Sequence, residues 1–249
     1  MLERYRKKID CVIMREIIPK IRIDLKSQVD LEYKKGCTNY FKEPIKIYGV
    51  RSANLKEIGK KYWTEVREMT KKDLFIFVEE LLKSDYNEES GLAFKWLFRR
   101  KSEYIKSDFK IFENWLKKYV TNWGKCDDFC THAFGELIFQ FPDLITKTKS
   151  WSKSKNRWLR RASAIIFIFP IKKDKKFLKD IFSVSDILLL DGDDLVQKGY
   201  GWTLKEASNL YQDEVFEYVM KNKEKMPRTA LRYAIEKMPK NLKKQAMSK

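Results

Sequence analysis

The chain has 249 residues, and its 53 Lys and Arg against 35 Asp and Glu give a formal net charge of +18. A charge of this size favours a polyanionic partner, chiefly nucleic acid. The single histidine, His132, and the four cysteines leave little for a catalytic triad, a histidine-rich metal site or a disulfide framework. We therefore expect no metal and no other cofactor.

The sequence also bears on the cellular compartment. The first residues, Met1-Leu-Glu-Arg4, are charged and do not have the pattern of a signal peptide, and the apolar run around Ala162–Ile171 is too short to span a bilayer. Sparse cysteines fit a reducing environment. We expect a cytoplasmic protein that has no membrane partner and is associated with the nucleoid when bound to DNA.

Amphipathic helices are predicted along the first half of the chain. Asn54-Leu-Lys-Glu57 has the pattern of a capping box, and Thr70 precedes an apolar helical stripe from Leu74 to Leu82. Ile45-Lys-Ile47 alternates but is flanked by turn residues, so we interpret it as a connector rather than a strand.

The next informative element contains Trp123 and Asp127, which are spaced i, i+4. If the stretch Cys126–Glu136 is the beginning of a helix, the two side chains project near one another at the helix start. A carboxylate is stabilised in its ionised form there. The alternative is that Asp127 or Asp128 only caps this helix and that Trp123 attaches it to the preceding one.

Two glycines precede Trp202 in a further predicted helix. Gly199 and Gly201 each cost roughly 1 kcal/mol relative to alanine inside a helix, so close backbone packing should offset them. Trp202 is either buried in this packing or faces a groove. Upstream, Asp191-Gly-Asp-Asp194 lacks the spacing of a calcium loop and is predicted to cap the helix that contains Leu195.

The last predicted helices follow Asp213 and Pro227. Asp213 precedes an apolar run that starts at Val215, and Pro227 has the first-turn position of a helix around Ala230–Met238. The basic tail at 240–249 is expected to fray.

Small residues recur inside these helices at intervals of 29 to 40 residues: Ala93, Ala133, Ala162, Gly199 and Ala230. This spacing favours an all-α fold, a right-handed α-solenoid of HEAT-like helix-pair repeats with a concave basic groove, over an ordinary helical bundle. No low-complexity linker divides the chain, so residues 1–249 are expected to form a single domain and a monomer.

Cations repeat along the predicted helices of the second half. Residues 149–180 contain eleven Lys and Arg against two Asp, and residues 220–249 contain ten against two Glu. Stacked helices would align these cations along a phosphate backbone, whereas a solvated helix face is the alternative for any single one. The candidate DNA-binding residues are Arg160, Arg161, Lys198, Lys205, Arg228 and Arg232.

Four segments of the chain resemble the DNA alkylation repair family, the AlkD-like DNA glycosylases built from HEAT-like repeats. They are Trp-x-x-x-Asp at 123–127, Trp-Leu-Arg-Arg-Ala at 158–162, Gln-Lys-Gly-x-Gly-Trp at 197–202 and Met-Pro-Arg-Thr-x-Leu-Arg-Tyr-Ala at 226–234. The resemblance covers most of the chain and is strongest in its second half. Asn122, Cys126 and Lys205 depart from the family pattern.

The resemblance implies an activity and the residues for it. The family excises N3- and N7-alkylated purines from double-stranded DNA without a metal, and its catalytic tryptophans and aspartate match Trp123, Trp202 and Asp127. Its groove arginine matches Arg161. The resemblance therefore implies a metal-independent alkylpurine DNA N-glycosylase of base excision repair.

The residue types suit this chemistry independently, because a cationic alkylpurine leaves as a neutral base and needs no strong general acid. Asp127 could stabilise the positive charge on the sugar, and the tryptophan faces also favour a cation. Two alternatives remain: a non-catalytic HEAT-repeat protein that binds damaged or branched DNA, and a HEAT scaffold for a protein partner.

Overall fold

A computed structural model describes residues 16–41 and 43–248. The chain divides into two compact units, Met1–Tyr104 and Ile105–Lys249. Over the described ranges the regular elements are helices, and β pairing is limited to the isolated bridges Val29–Val50 and Lys46–Tyr86. The prediction of an all-helical chain is confirmed.

Within residues 16–41 and 43–104, the first unit contains six α-helices. The described part of α1 spans 16–27. It is followed by α2 (Leu31–Tyr40), α3 (Ser52–Lys61), α4 (Trp63–Val66), α5 (Lys71–Lys83) and α6 (Asn87–Arg99).

The predicted helix starts of this unit were right in one case and wrong in the other. Thr70 caps α5 as expected, because its side chain accepts a hydrogen bond from the backbone N–H of Asp73. The capping box at Asn54 is wrong, since the chain is already helical from Ser52. The Asn54 side chain instead donates to Gln28 Oε1 at 2.9 Å.

The interpretation of Ile45-Lys-Ile47 as a connector rather than a strand is confirmed. The backbone N–H groups that follow it donate to a buried carboxylate instead of to a neighbouring strand. Glu88, in the first turn of α6, accepts hydrogen bonds from the backbone N–H groups of Tyr48, Gly49 and Val50 at 3.1, 2.8 and 3.2 Å. Gly49 has a φ of 96°, a conformation that favours glycine.

The second unit contains the four segments that resemble the family. Its helices are α7 (Asp108–Tyr119), α8 (Trp123–Thr131), α9 (Ala133–Gln140), α10 (Ile145–Ser150), α11 (Arg157–Ile165), α12 (Ile168–Ile171), α13 (Leu178–Leu188), α14 (Asp194–Ser208), α15 (Gln212–Asn222), α16 (Arg228–Ala234) and α17 (Lys240–Met247). Helix α8 packs on α11, α11 on α14 and α14 on α16. The four segments therefore lie on successive neighbouring helices.

The start of α8 differs from the prediction. The helix begins at Trp123 rather than at Cys126, because Asn122 caps it by accepting a hydrogen bond from the Lys125 N–H at 3.0 Å. Asp127 is therefore in the second turn, so the interpretation of Asp127 or Asp128 as the cap is wrong. The helix ends at Thr131 rather than continuing to Glu136.

Downstream caps agree more closely with the sequence. Asp193 caps α14 by accepting from the Leu195 N–H at 3.0 Å, which confirms the predicted acidic cap. Helix α15 starts at Gln212, so Asp213 lies in its first turn rather than before it. Pro227 is the cap of α16 rather than its first-turn residue, and α16 ends at Ala234, short of Met238.

The basic tail is helical over Lys240–Met247, so the expectation of fraying is wrong there. Ala246 is buried and attaches α17 to the unit. Lys223 Nζ donates to the carbonyl oxygens of Gln245 and Ser248 at 3.4 and 2.9 Å. A cation on the last carbonyls of a helix stabilises its C-terminus.

Candidate functional site: a carboxylate fixed by arginine

A bidentate ion pair joins α8 to α11. Arg161 Nε donates to Asp127 Oδ1 at 2.7 Å, and Arg161 Nη2 donates to Asp127 Oδ2 at 2.8 Å. The side chains of Arg161 and Asp127 are 6% and 17% exposed. Bidentate geometry fixes the carboxylate in orientation as well as in position, because both of its oxygens are bound.

The same guanidinium also reaches α14, where Nη1 donates to the backbone carbonyl of Leu195. Arg161 thus links three helices through one planar group. Gly199 makes room for it, since a Cβ at this position would lie 3.2 Å from Arg161 Cγ. This contact confirms the close packing predicted for Gly199.

Burial and the ion pair act on the Asp127 carboxyl in opposite directions. Burial raises the pKa of Asp127, whereas the hydrogen bonds from Arg161 oppose that rise and favour the carboxylate. The side chain is not fully buried, and its oxygens keep lone pairs that Arg161 does not use, because a carboxylate has about four acceptor positions. The group can therefore accept a hydrogen bond from a water or face a developing positive charge.

The two tryptophans are half-buried on the helices that Arg161 links. Trp123 precedes Asp127 by four residues on α8, which places both on one face. Trp202 follows Gly199 by three residues on α14 and lies one turn along the face that packs against Arg161. Trp202 Nε1 donates to Glu206 Oε1 at 3.1 Å.

Two of the candidate cations are held by acids near the helix ends. Arg160 Nε donates to Asp191 Oδ2 at 2.6 Å, and its Nη1 donates to the carbonyls of Ser154 and Lys155. Lys198 pairs with Asp194 at 3.1 Å.

The other candidate cations differ in exposure. Lys205 pairs with Glu236 at 3.1 Å and lies over the Tyr233 ring. Arg228 and Arg232 of α16 are exposed, and neither makes an ion pair with the parts of the chain that the structure describes. These two arginines are therefore available to a polyanion.

The sequence analysis did not find two side chains that hold Trp202. Glu206 accepts from the indole and also pairs with Lys172 Nζ at 2.8 Å. The i, i+4 spacing of Trp202 and Glu206 could have indicated the first contact. Lys172 lies outside α14, and no local pattern marks it.

Cys126 and Cys130 are buried thiols, as predicted for small apolar packing. Within residues 16–41 and 43–248, no group of three or more His, Cys, Asp or Glu could hold a metal ion. The His132 ring nitrogen Nδ1 lies 3.3 Å from Asp128 Oδ1, which raises the pKa of the imidazole.

None of the helices in the described residues is long and apolar enough to cross a bilayer.

Comparisons with known proteins identify a family for this chain. The fold is similar to that of a solved structure described as a predicted DNA alkylation repair enzyme from Enterococcus faecalis, with a TM-score of 0.75 and 15% identity. That similarity covers 86% of this chain and 98% of the other. The comparison with curated proteins gave no match. The family model of the DNA alkylation repair enzymes matches residues 21–238, so the chain belongs to the DNA alkylation repair enzyme family.

Proposed function

We propose that the protein is a DNA glycosylase that excises cationic N3- and N7-alkylated purines, such as 3-methyladenine and 7-methylguanine, from double-stranded DNA. Its family implies a role in DNA alkylation repair. The observation that carries the narrower proposal is the Asp127 carboxylate, fixed by Arg161 on the helix that also presents Trp123. A half-exposed indole and a fixed carboxylate suit a cationic sugar better than they suit a neutral ligand.

In the proposed reaction the bond between C1′ and the base nitrogen breaks, and its electron pair stays on the base. The alkylated base is cationic before cleavage and neutral after it, so it leaves without protonation. The sugar becomes positively charged in the transition state, and Asp127 stabilises that charge. A water then adds to C1′ and loses its proton to Asp127 or to solvent, which leaves an abasic site.

The role proposed for Arg161 changes with the structure. The sequence predicted a contact with DNA, but the guanidinium donates to both oxygens of Asp127 and to a carbonyl of α14. We assign it to positioning Asp127 rather than to direct contact with phosphate. Trp123 and Trp202 remain the proposed aromatic walls on either side of the sugar.

The packing of the second unit supports the proposed scaffold. Successive contacts of α8, α11, α14 and α16 are what stacked helix-pair repeats produce. The right-handed solenoid with a concave basic groove, the single domain and the monomeric state stay predictions. Among the candidate cations, the exposed Arg228 and Arg232 are the strongest candidates for phosphate contacts.

The decisive experiment incubates the protein with duplex DNA that contains one N7-methylguanine, and quantifies free base and abasic-site strand breaks. Asp127→Asn should lower the single-turnover excision rate by about a hundredfold or more, because the amide cannot stabilise the sugar cation. Asp128→Asn is the matched control, since Asp128 pairs with His132 instead of Arg161. It should retain excision.

Unchanged excision by Asp127→Asn would contradict the mechanism. Absence of release by the wild-type protein, together with tight and salt-sensitive DNA binding, would overturn the glycosylase and favour a non-catalytic DNA-binding protein. Salt-insensitive binding to DNA would contradict both the glycosylase and the non-catalytic DNA-binding protein.

A further inference from the structure

A chain of two contacts holds the indole of Trp202. Trp202 Nε1 donates to Glu206 Oε1 at 3.1 Å, and Glu206 Oε2 accepts from Lys172 Nζ at 2.8 Å. Both carboxylate oxygens are thereby engaged, one by the indole and the other by the ammonium. Lys172 follows α12, which packs against α14, so this chain joins two helices.

The contacts of Glu206 favour its ionised form. Its side chain is 17% exposed. Although burial acts to raise the pKa of Glu206, hydrogen bonds from Lys172 and Trp202 lower it. The hydrogen bond from the indole therefore ends on a full negative charge, and such charge-assisted bonds are stronger than neutral ones.

A carboxylate at the indole N–H does two things to the ring. It restricts rotation of the side chain, so one π face keeps a constant direction. It also polarises the indole toward greater electron density, which strengthens the attraction of a cation to the ring face. Both effects matter only if the exposed face of Trp202 meets a positive charge.

The Lys172 ammonium also acts on His132, which directly follows α8. A hydrogen bond with Asp128 raises the pKa of His132, and the positive charge of Lys172 opposes that rise. Lys172 is therefore within electrostatic reach of the end of the helix that carries Asp127. The contacts that hold Trp202 and the contacts that hold Asp127 thus belong to one group of packed helices in the second unit.

We propose that Glu206 is a positioning residue for excision, which with Lys172 orients and polarises the Trp202 indole so that its face stabilises the cationic sugar or base. This inference rests on the proposed glycosylase function. Glu206 then does for Trp202 what Arg161 does for Asp127, because in each case a charged side chain fixes the group.

The test combines kinetics with a direct measurement of the indole. The chain has seven tryptophans, so Trp202→Phe identifies the Trp202 indole N–H resonance as the one it removes. Glu206→Leu should shift that resonance and speed its hydrogen exchange. It should also lower the single-turnover excision rate by about tenfold or more while the Kd for damaged duplex changes little, because the ring remains but its orientation is no longer fixed.

Two further variants, Glu206→Gln and Lys172→Met, remove only part of the contact and should lower the excision rate less than Glu206→Leu does. Glu206→Gln keeps an acceptor for the indole but removes the charge, so its excision rate should fall between those of the wild type and Glu206→Leu. Lys172→Met removes the ammonium that pairs with Glu206 and should lower the rate less. Glu214→Gln is the matched control, because it breaks an ion pair with Lys175 on other elements and should leave excision unchanged.

Wild-type excision by Glu206→Leu, or an unmoved indole resonance, would overturn the inference. An effect confined to DNA affinity would also do so, since that would make Glu206 part of the binding surface. An inactive wild-type protein would instead overturn the proposed function, and the role of Glu206 in excision with it, while the resonance shift would still report the contact.

Discussion

At the scale of single residues, the site depends on one ion pair that is mostly removed from water. Asp127 and Arg161 share two hydrogen bonds, and the guanidinium has a third on the Leu195 carbonyl. Breaking a buried pair by removing one partner typically costs about 3–5 kcal/mol, because the other charge stays buried. A variant that keeps the charge is therefore more informative than a truncation.

Arg161→Lys keeps the positive charge but lacks the planar fork that bonds both oxygens of Asp127. Excision should fall by about tenfold to a hundredfold, because the carboxylate is no longer held in one orientation. The slope of log Kd against log salt should not change, because lysine keeps the positive charge. The measurement is single-turnover excision together with a salt titration of binding.

Arg157→Lys is the control for this change. Arg157 lies on the same helix and pairs with Asp193 at 2.6 Å, away from Asp127. It should retain excision. Unchanged excision by Arg161→Lys would contradict the assignment of Arg161 to positioning Asp127.

At the scale of elements, glycines bring α14 close to its neighbours on both sides. A Cβ at Gly201 would lie 2.7 Å from the Ala230 carbonyl oxygen and 2.7 Å from Tyr233 Cβ. Backbone on α16 cannot move away as a flexible side chain can. Gly199 and Gly201 therefore set the spacing of α11, α14 and α16, and with it the position of Trp202.

Gly201→Ala should lower the free energy of unfolding by about 1–3 kcal/mol, because the added methyl forces α14 and α16 apart. Gly36→Ala is the matched control, since Gly36 lies in the middle of α2 and a Cβ there meets nothing within 4 Å. That variant should be more stable by roughly 0.5–1 kcal/mol because of helix propensity. Urea unfolding measures the stability of both variants. Equal stabilities would contradict the close packing of α14 against α16 at Gly201.

At the scale of the whole molecule, the net charge of +18 makes a polyanion the expected partner, and a family match over residues 21–238 agrees with this. The candidate cations differ in whether an acid of the protein already pairs with them. Arg228 and Arg232 are exposed without an ion pair to the described residues, whereas acids of the protein hold the others: Arg160, Arg161, Lys198 and Lys205. Arg228 and Arg232 should therefore account for most of the salt dependence of DNA binding.

The double variant Arg228→Gln, Arg232→Gln should lower the slope of log Kd against log salt by about 0.9 for each phosphate that is no longer neutralised. Fluorescence anisotropy with an undamaged duplex at several salt concentrations measures this slope. Lys175→Gln, Lys176→Gln removes the same charge from residues that pair with Glu214 and Asp174, and should leave the slope close to that of the wild type. Equal slopes for the two double variants would show that net charge alone determines binding.

The sequence by itself determined the helical class, the family and the helix starts at Thr70 and Asp193. Apolar periodicity and capping side chains such as Thr70 and Asp193 act within a few residues, so they can be identified without tertiary contacts. The capping box at Asn54 and the frayed tail were wrong because longer-range contacts decided them. Asn54 bonds Gln28, and the C-terminus of α17 is held by Lys223.

The tertiary structure decided which side chains act together. Nothing in the spacing of Asp127 and Arg161, 34 residues apart, indicates that one guanidinium would bind both carboxylate oxygens. Lys172 and Glu206 are equally distant in sequence and meet through the packing of α12 on α14. Residue types and local periodicity are properties of the chain, whereas charge pairing depends on helix packing, which no local pattern encodes.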